Sequence, residues 1–279
     1  MPVNIVKCLS FEKLLLKGAT KPFISRDEAG IAWVVKFHGN PLGTKSIFNE
    51  YVVGSLAEVI GLPWPEVTLI ELTPNVLNIL QLKGLSTLSK FATGLKYISG
   101  LRSIEWPQGV NSFFDKESVK RNAEHIGSIF PQVSDYIAFY GKAIFDNWLL
   151  LQDTKYESLH INMEGHPIFL DASYALCTSI NSEWSCSCLG WNQTMIDIQS
   201  PYLDGILTDF ANFDIWIERL RAIRIDVIES IIQSIPLEWS IPDDYLRKVK
   251  TLLSSTGDRF IPLFQEWISW QTYKSRYGM

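Results

Sequence analysis

The hydrophobic periodicity of this chain changes along its length, and that change constrains the fold more than any other feature. Up to about residue 100 the pattern is strand-like: Ile5–Leu9, Lys21–Ser25, Trp33–Phe37 and Val67–Leu72 are short apolar or β-branched runs bounded by Gly, Pro and Asp. One helix interrupts them over Ser46–Ile60, with Phe48, Val52, Leu56 and Val59 at helical spacing and Gly61 as its stop. After about Ser112 the pattern turns helical. Ser134–Leu150 is long and apolar, and Asp214–Ile235 carries Trp216, Ile217, Leu220, Ile223, Val227, Ile231 and Ile235 on one face. Asp243–Leu253 follows Pro242 and opens with two acids, which suit a helix N-terminus, and Phe260–Trp270 is rich in aromatics. Inside this helical half, Leu159–Ile161 and Pro167–Leu170 flank the turn Met163-Glu164-Gly165 and read as a hairpin. The pattern predicts an α+β chain with a β-rich N-lobe carrying one helix (residues 1–100) and an α-helical C-lobe (residues 101–279).

Composition removes several function classes. The 279 residues carry Lys+Arg 25 against Asp+Glu 30, a net charge of −5, where a nucleic-acid footprint would show a basic excess. No stretch approaches the roughly 20 apolar residues of a membrane helix, and the most apolar segments, Ile31–Phe37 and Tyr136–Leu151, are interrupted by Lys36, Lys142, Asp146 and Asn147. The opening MPVNIVKCLSFEKLLLKG lacks the basic-then-apolar order of a signal peptide, so a soluble, cytoplasmic chain with reduced thiols is expected. Four cysteines are too few for a disulfide scaffold, and the Cys186-x-Cys188 pair after Cys177 has no histidine at ligand spacing; packed thiols are the expected reading over metal. His38, His125, His160 and His166 form no H-x-x-x-H pair, and Ser103, Ser112 and Ser128 lack a G-x-S-x-G context. The aromatic tail Phe260, Phe264, Trp267 and Trp270 has the spacing of a core-facing helix.

The charged residues inside apolar runs carry the chemistry. Alternation along Trp33–Phe37 puts Trp33, Val35 and Phe37 on one face and Val34 with Lys36 on the other. A lysine in such a strand costs desolvation unless it is neutralised, and Glu50, fourteen residues on in the helix, is a candidate partner. Strand lysine followed by helix glutamate is the arrangement with which protein kinases hold ATP phosphates. The alternative is an edge-strand lysine pointing to water. Further along, Asp153 follows the apolar Trp148–Leu151, Ser158 comes five residues later, and Asp171 follows the hairpin. A base Asp, a metal ligand five residues on and a metal-binding Asp after a hairpin form the kinase catalytic pattern, because phosphoryl transfer needs an oriented hydroxyl and hard oxygen ligands for Mg²⁺. The alternative is a pair of loop aspartates capping turns.

The run Val34-Val35-Lys36-Phe37-His38-Gly39-Asn40-Pro41-Leu42-Gly43, followed by Asn49-Glu50 and Gly61-Leu62-Pro63, resembles the short HipA-like kinase family. Gly18-Ala19-Thr20-Lys21-Pro22 looks like its phosphate loop, Phe145-Asp146-Asn147-Trp148 with Asp153 and Leu170-Asp171 like its catalytic loop and metal aspartate, and Ile235-Pro236-Leu237-Glu238-Trp239 like its tail. The resemblance runs over about residues 15 to 265. It implies a bilobal fold similar to protein kinases and phosphatidylinositol kinases, ATP with Mg²⁺ between the lobes, and transfer of phosphate to a serine or threonine of a protein substrate. Some relatives are the kinase components of toxin–antitoxin systems, so an antitoxin-like partner is possible, with no direct nucleic-acid or membrane contact implied. Full-length relatives carry an additional N-terminal subdomain, for which this length is expected to leave no room.

Carried onto this chain, the resemblance makes Lys36, positioned by Glu50, the grip on the α- and β-phosphates, with Gly18, Ala19, Thr20 and Lys21 covering them. Asp153 orients the acceptor hydroxyl, Lys155 neutralises the γ-phosphate, and Asp171 with Ser158 holds Mg²⁺. Phe91–Tyr97 becomes the strand to the lobe hinge, with Lys96 and Tyr97 beside adenine. The chain departs from the family's Asn-x-Asp-Arg-His-x-x-Asn: here it reads Leu151-Gln152-Asp153-Thr154-Lys155-Tyr156-Glu157-Ser158. After Asp171 stand Ala172-Ser173-Tyr174, where relatives often show Gly and His. Three functions follow as expectations: an active protein serine/threonine kinase, a weakened pseudokinase that binds nucleotide or a partner, and a small-molecule kinase.

Overall fold

The computed structural model describes residues 5–15, 20–85, 87–104, 121, 124–125, 127–151, 158–176, 184, 189–191 and 207–277. The first half builds a six-stranded sheet from β1 (Ile5–Cys8), β2 (Lys13–Leu14), β3 (Phe23–Arg26), β4 (Ala32–Phe37), β5 (Val67–Leu72) and β6 (Phe91–Lys96), in the order β1-β5-β6-β4-β3-β2. Only β1 and β5 pair in parallel. Two helices serve the sheet, α1 (Gly43–Ile60) and α2 (Pro74–Leu82). The second is an addition to the single helix read from the sequence. Its signal, Thr73 in extended conformation followed by Pro74 in the first turn, is a standard helix start, but the helix is short and sits between strands.

The alternation along β4 sorts the two faces. Trp33, Val35 and Phe37 join Cys8, Phe23, Ile70, Leu72 and Ala92 under Val76 and Leu80 of α2. The opposite face lies against α1, which is buried nearly all round: Ile47, Phe48, Val52, Val53, Leu56, Ala57 and Ile60 belong to a larger core that continues into the second half of the chain. A helix apolar on every side is one packed on every side. Its end is closed by Gly61 at φ +67, a left-handed position that favours glycine, with Gly61 N–H donating to Glu58 O (3.0 Å) and Leu62 N–H to Ala57 O (2.9 Å).

The second half supplies a three-stranded sheet, β7 (Arg102–Ser103), β8 (Leu159–Ile161) and β9 (Pro167–Phe169), and the helices α3 (Ile137–Trp148), α4 (Asp214–Arg221), α5 (Ile225–Gln233), α6 (Asp243–Ser254) and α7 (Ile261–Tyr277). The expected hairpin is present, with Leu159 opposite Phe169. The single helix read over Asp214–Ile235 is instead two, broken at residues 222–224, where Arg224 is extended (ψ 144°) and Asp226 opens the next first turn. A three-residue corner keeps both apolar stripes inward, so periodicity alone does not reveal it. Helix α4 crosses α3 where Gly141 leaves room: a Cβ there would lie 2.4 Å from the Trp216 ring.

Helix α1 is tied to this second half at three points. Arg219 of α4 donates to Ile60 O (3.1 Å) and Gly61 O (3.3 Å), the Tyr51 and Ser234 hydroxyls lie 2.7 Å apart, and Asn49 reaches residues 173 and 175. No helix among the described residues is long and apolar enough to cross a membrane.

Candidate active site

The site is assembled where β4, α1 and the end of β9 meet. β4 pairs with β3 on one side and β6 on the other, so Lys36 lies on an interior strand and the edge-strand reading fails. Its side chain is only 10% exposed and points toward α1, where it forms an ion pair with Glu50, itself fully buried. Thr93, opposite Lys36 in register, donates to Ile47 O (2.7 Å) and holds the first part of α1 against the sheet.

Asp171 enters from below. The chain leaves β9 and turns at this residue with φ +66, a left-handed conformation uncommon outside glycine, though Asp tolerates it better than most. The turn brings Asp171 Oδ1 to 3.4 Å from Lys36 Nζ and leaves the carboxylate 47% exposed. The adjoining residues are gripped by α1: Ala172 N–H donates to Glu50 Oε1 (3.0 Å), while Asn49 Nδ2 donates to Ser173 O (3.0 Å) and Ala175 O (2.9 Å). The Asn49-Glu50 dipeptide thus fixes the backbone after Asp171 through one acceptor and one donor group. Ser173 Oγ lies 2.8 Å from Asp171 Oδ1, 3.1 Å from Glu50 Oε1 and 3.4 Å from Lys36 Nζ.

The electrostatics follow from this packing. Burial by itself would lower the Lys36 pKa, but the charges and hydrogen bonds of Glu50 and Asp171 outweigh it and hold the ammonium above its ordinary range. Asp171 is held below the usual carboxylate range: desolvation opposes ionisation, and the Lys36 charge with the Ser173 hydrogen bonds overcomes it. Burial pushes Glu50 up, with Lys36 opposing. A second ion pair lies in α3, where Lys142 and Asp146 are both fully buried at i,i+4 spacing. Here burial wins and the Lys142 pKa is lowered, with Asp146 and, less strongly, Asp171 pulling the other way. The sequence showed both residues, as interruptions of an apolar run; the signal for pairing is the four-residue spacing of opposite charges.

Ser158 is buried and its carbonyl accepts from Leu170 N–H (2.8 Å), which places it beside the residue preceding Asp171. Thr20 is buried and Lys21 exposed, both in the connection from β2 to β3, the place a loop covering the cleft would occupy. Lys96 ends β6 and Tyr97 follows it; Lys96 Nζ is bound to Glu66 on the surface (2.8 Å), and the backbone N–H groups of the two residues are committed to Glu66 O and Ala32 O. Gly18, Ala19, Asp153, Lys155 and the cysteines at 177, 186 and 188 lie outside the described residues. Cys8 is buried, and burial pushes its thiol up to about 11. Ser173 and the Asn49 grip were missed by sequence reasoning, although Asn49 stood in the family motif; a hydroxyl or amide used in tertiary contact has no period to betray it.

Among the described residues no three His, Cys, Asp or Glu side chains cluster as a closed metal cage. Ser158 precedes β8 and Asp171 follows β9, at the paired end of the hairpin, and both carry hard oxygen atoms, the donor type suited to Mg²⁺, which keeps several waters and shares its ligands with phosphates. Three carboxylates (Glu50, Asp146, Asp171) face two ammonium groups (Lys36, Lys142), and the one left in excess, Asp171, is the one open to solvent. The donor set therefore fits a divalent cation, with Lys36 beside it for an anionic ligand.

A mixed-sheet lobe over a helical lobe, with a strand lysine paired to a helix glutamate above a hairpin aspartate, defines a kinase-like bilobal fold. The crystal structure of a Helicobacter pylori proinflammatory kinase, CtkA, superposes with a TM-score of 0.54 at 11% identity, covering 93% of this chain and 96% of that one. Residues 10–133 match the HipA-like kinase family, the same family that the Lys36 and Asn49-Glu50 blocks resemble. No curated protein matches the chain in sequence.

Proposed function

We propose that this protein is an ATP- and Mg²⁺-dependent kinase of the HipA-like type that transfers the γ-phosphate of ATP to a serine or threonine hydroxyl of a protein. The observation that carries the reading is the Lys36–Glu50 pair closed over Asp171 within a kinase-like fold. In this reading Lys36, held by Glu50, binds the α- and β-phosphates, and Asp171 with Ser158 holds the cation. Bound Mg²⁺ supplies charge neutralisation on the phosphates. Asp153 orients the acceptor hydroxyl and takes its proton as the oxygen attacks, Lys155 stabilises charge on the transferred group, and Gly18, Ala19, Thr20 and Lys21 cover the phosphates. Lys96 and Tyr97 border the adenine. The net charge of −5 is no obstacle, because phosphate binding needs local cations rather than a basic protein.

The test is transfer of label from radioactive ATP with Mg²⁺ or Mn²⁺, by wild type, Lys36→Ala, Asp153→Asn and Asp171→Asn. Label on the protein, a generic acceptor or a lysate protein, lost in all three variants, is expected; no label with wild type defeats the reading. A second reading, a pseudokinase that binds nucleotide without transferring phosphate, is favoured by Thr154-Lys155 and Ser158 in the catalytic stretch. It predicts a thermal shift with nucleotide but no label, and greater activity in Ser158→Asn would trace the deficit to the metal ligand. Transfer to a small molecule instead of protein would show as label leaving ATP without appearing on any polypeptide.

A further inference from the structure

Ser173 stands among Lys36, Glu50 and Asp171, and the kinase reading, on which this inference rests, gives it no task. Its side chain is buried, 6% of the residue being exposed. Its hydroxyl oxygen is 2.8 Å from Asp171 Oδ1, 3.1 Å from Glu50 Oε1 and 3.4 Å from Lys36 Nζ. A hydroxyl has one proton and two lone pairs, so it donates to one carboxylate at a time. Glu50 is sensitive to that choice: Oε1 takes Lys36 and the Ala172 N–H and lies within reach of Ser173, while Oε2 is buried with no hydrogen-bond partner among the described residues. All that fixes the Glu50 carboxylate acts through one oxygen.

We propose that Ser173 is a positioning residue whose single hydroxyl proton is directed to Asp171 when that carboxylate is free and to Glu50 when a divalent cation engages it. The switch is a rotation about the Cβ–Oγ bond; no covalent bond breaks and no group changes protonation. A cation on Asp171 competes for the oxygen lone pairs the hydroxyl was using. The hydroxyl then turns to Glu50 Oε1, adds a third donor there, and firms the carboxylate that aims Lys36 at the phosphates. Cation binding at Asp171 and nucleotide binding at Lys36 are thereby coupled, and the coupling is reciprocal.

The experiment measures the affinity of a non-hydrolysable ATP analogue by calorimetry with and without Mg²⁺ for wild type, Ser173→Ala, Ser173→Gly and Ser173→Thr. Comparing variants cancels the intrinsic affinity of Mg²⁺ for the nucleotide. The expected result is that the Mg²⁺-dependent gain falls about tenfold in Ser173→Ala and Ser173→Gly, the scale of one hydrogen bond to a charged group. Metal-free affinity stays within about twofold, and Ser173→Thr, which keeps the hydroxyl, retains the wild-type gain. An equal loss with and without Mg²⁺, as a purely structural role would give, overturns the proposal, and so does an unchanged gain in both hydroxyl-free variants. Those results leave the kinase reading standing, whereas a wild-type chain that binds no nucleotide under either condition removes that reading and the Ser173 coupling with it.

Discussion

The two buried ion pairs of this protein are chemically alike and physically opposite. Lys36 and Glu50 join a strand to a helix, and the lysine has a second carboxylate, Asp171, at 3.4 Å and a path to solvent. Lys142 and Asp146 lie on one turn of α3 with no exposure at all. The first lysine is raised above its ordinary pKa and the second lowered below it. Around Lys36 the charges and hydrogen bonds of Glu50 and Asp171 outweigh desolvation; around Lys142, sealed from solvent, Asp146 and the weaker pull of Asp171 do not. A buried charge with surplus negative neighbours and an opening is ready for a ligand; a pair sealed from solvent is a structural element whose loss on one side leaves a charge buried.

That contrast can be broken experimentally. The largest effect is expected for Lys36→Met on activity: a loss of about 10²–10³-fold in phosphoryl transfer, the scale of removing one preorganised electrostatic contact, with a smaller fall in melting temperature than in Lys142→Met, because the buried Glu50 loses its ammonium but keeps the Ala172 N–H and the Ser173 hydroxyl and is already pushed toward its neutral form by burial. Should the melting temperature collapse with the activity, Lys36 would be structural too. Lys142→Met is expected to reverse the balance, costing about 3–5 kcal/mol of stability by removing the ammonium beside the buried Asp146 carboxylate, read as a fall in the urea midpoint. Removing both charges, in Lys142→Met/Asp146→Leu, is expected to recover that loss or exceed wild type by about 1–4 kcal/mol. A double variant as weak as the single one would show that the pair does more than neutralise itself.

The smallest effect is a pH dependence. Because the native pKa of Lys142 lies below the ordinary 10.5, the unfolded chain binds a proton there that the native chain gives up. Unfolding then takes up protons, so wild-type stability relative to the double variant is expected to rise as pH climbs toward 10.5. For Lys36, raised in the fold, the stabilisation is fully present below 10.5 and lost only as pH rises through the higher native value. Wild type measured against Lys36→Met therefore shows no such gain over the same range. Urea midpoints at a series of alkaline pH values check both signs.

How much of this was legible in the sequence differs between the two pairs. Lys36 and Glu50 could be placed because period-2 alternation and helical spacing each set a direction, and the fourteen-residue separation allows one turn between strand and helix. The hairpin before Asp171 was equally plain, since Met163-Glu164-Gly165 breaks two apolar runs. The Lys142–Asp146 pair was visible only as two interruptions, because whether a charge is sealed depends on what other segments pack over it. The corner at residues 222–224 escaped because both short helices keep one continuous stripe, and α2 escaped because nine residues give little periodicity. The committed N–H groups of Lys96 and Tyr97 are a matter of sheet register, which no local pattern encodes.

The ties on α1 have a consequence for how the molecule opens. Arg219 caps its last carbonyls, Tyr51 meets Ser234, and Asn49 holds the chain beyond Asp171, so the helix that covers one face of the first sheet is anchored in the second half. In native-state hydrogen exchange its amides should open in one cooperative unit with α3 and α4, at a higher free energy than the strands β1 to β3 that flank α2. A glutamate mounted on a helix that moves with the lower lobe is carried to its lysine by folding itself, and rearranging that pair would require loosening the lower core rather than swinging one helix.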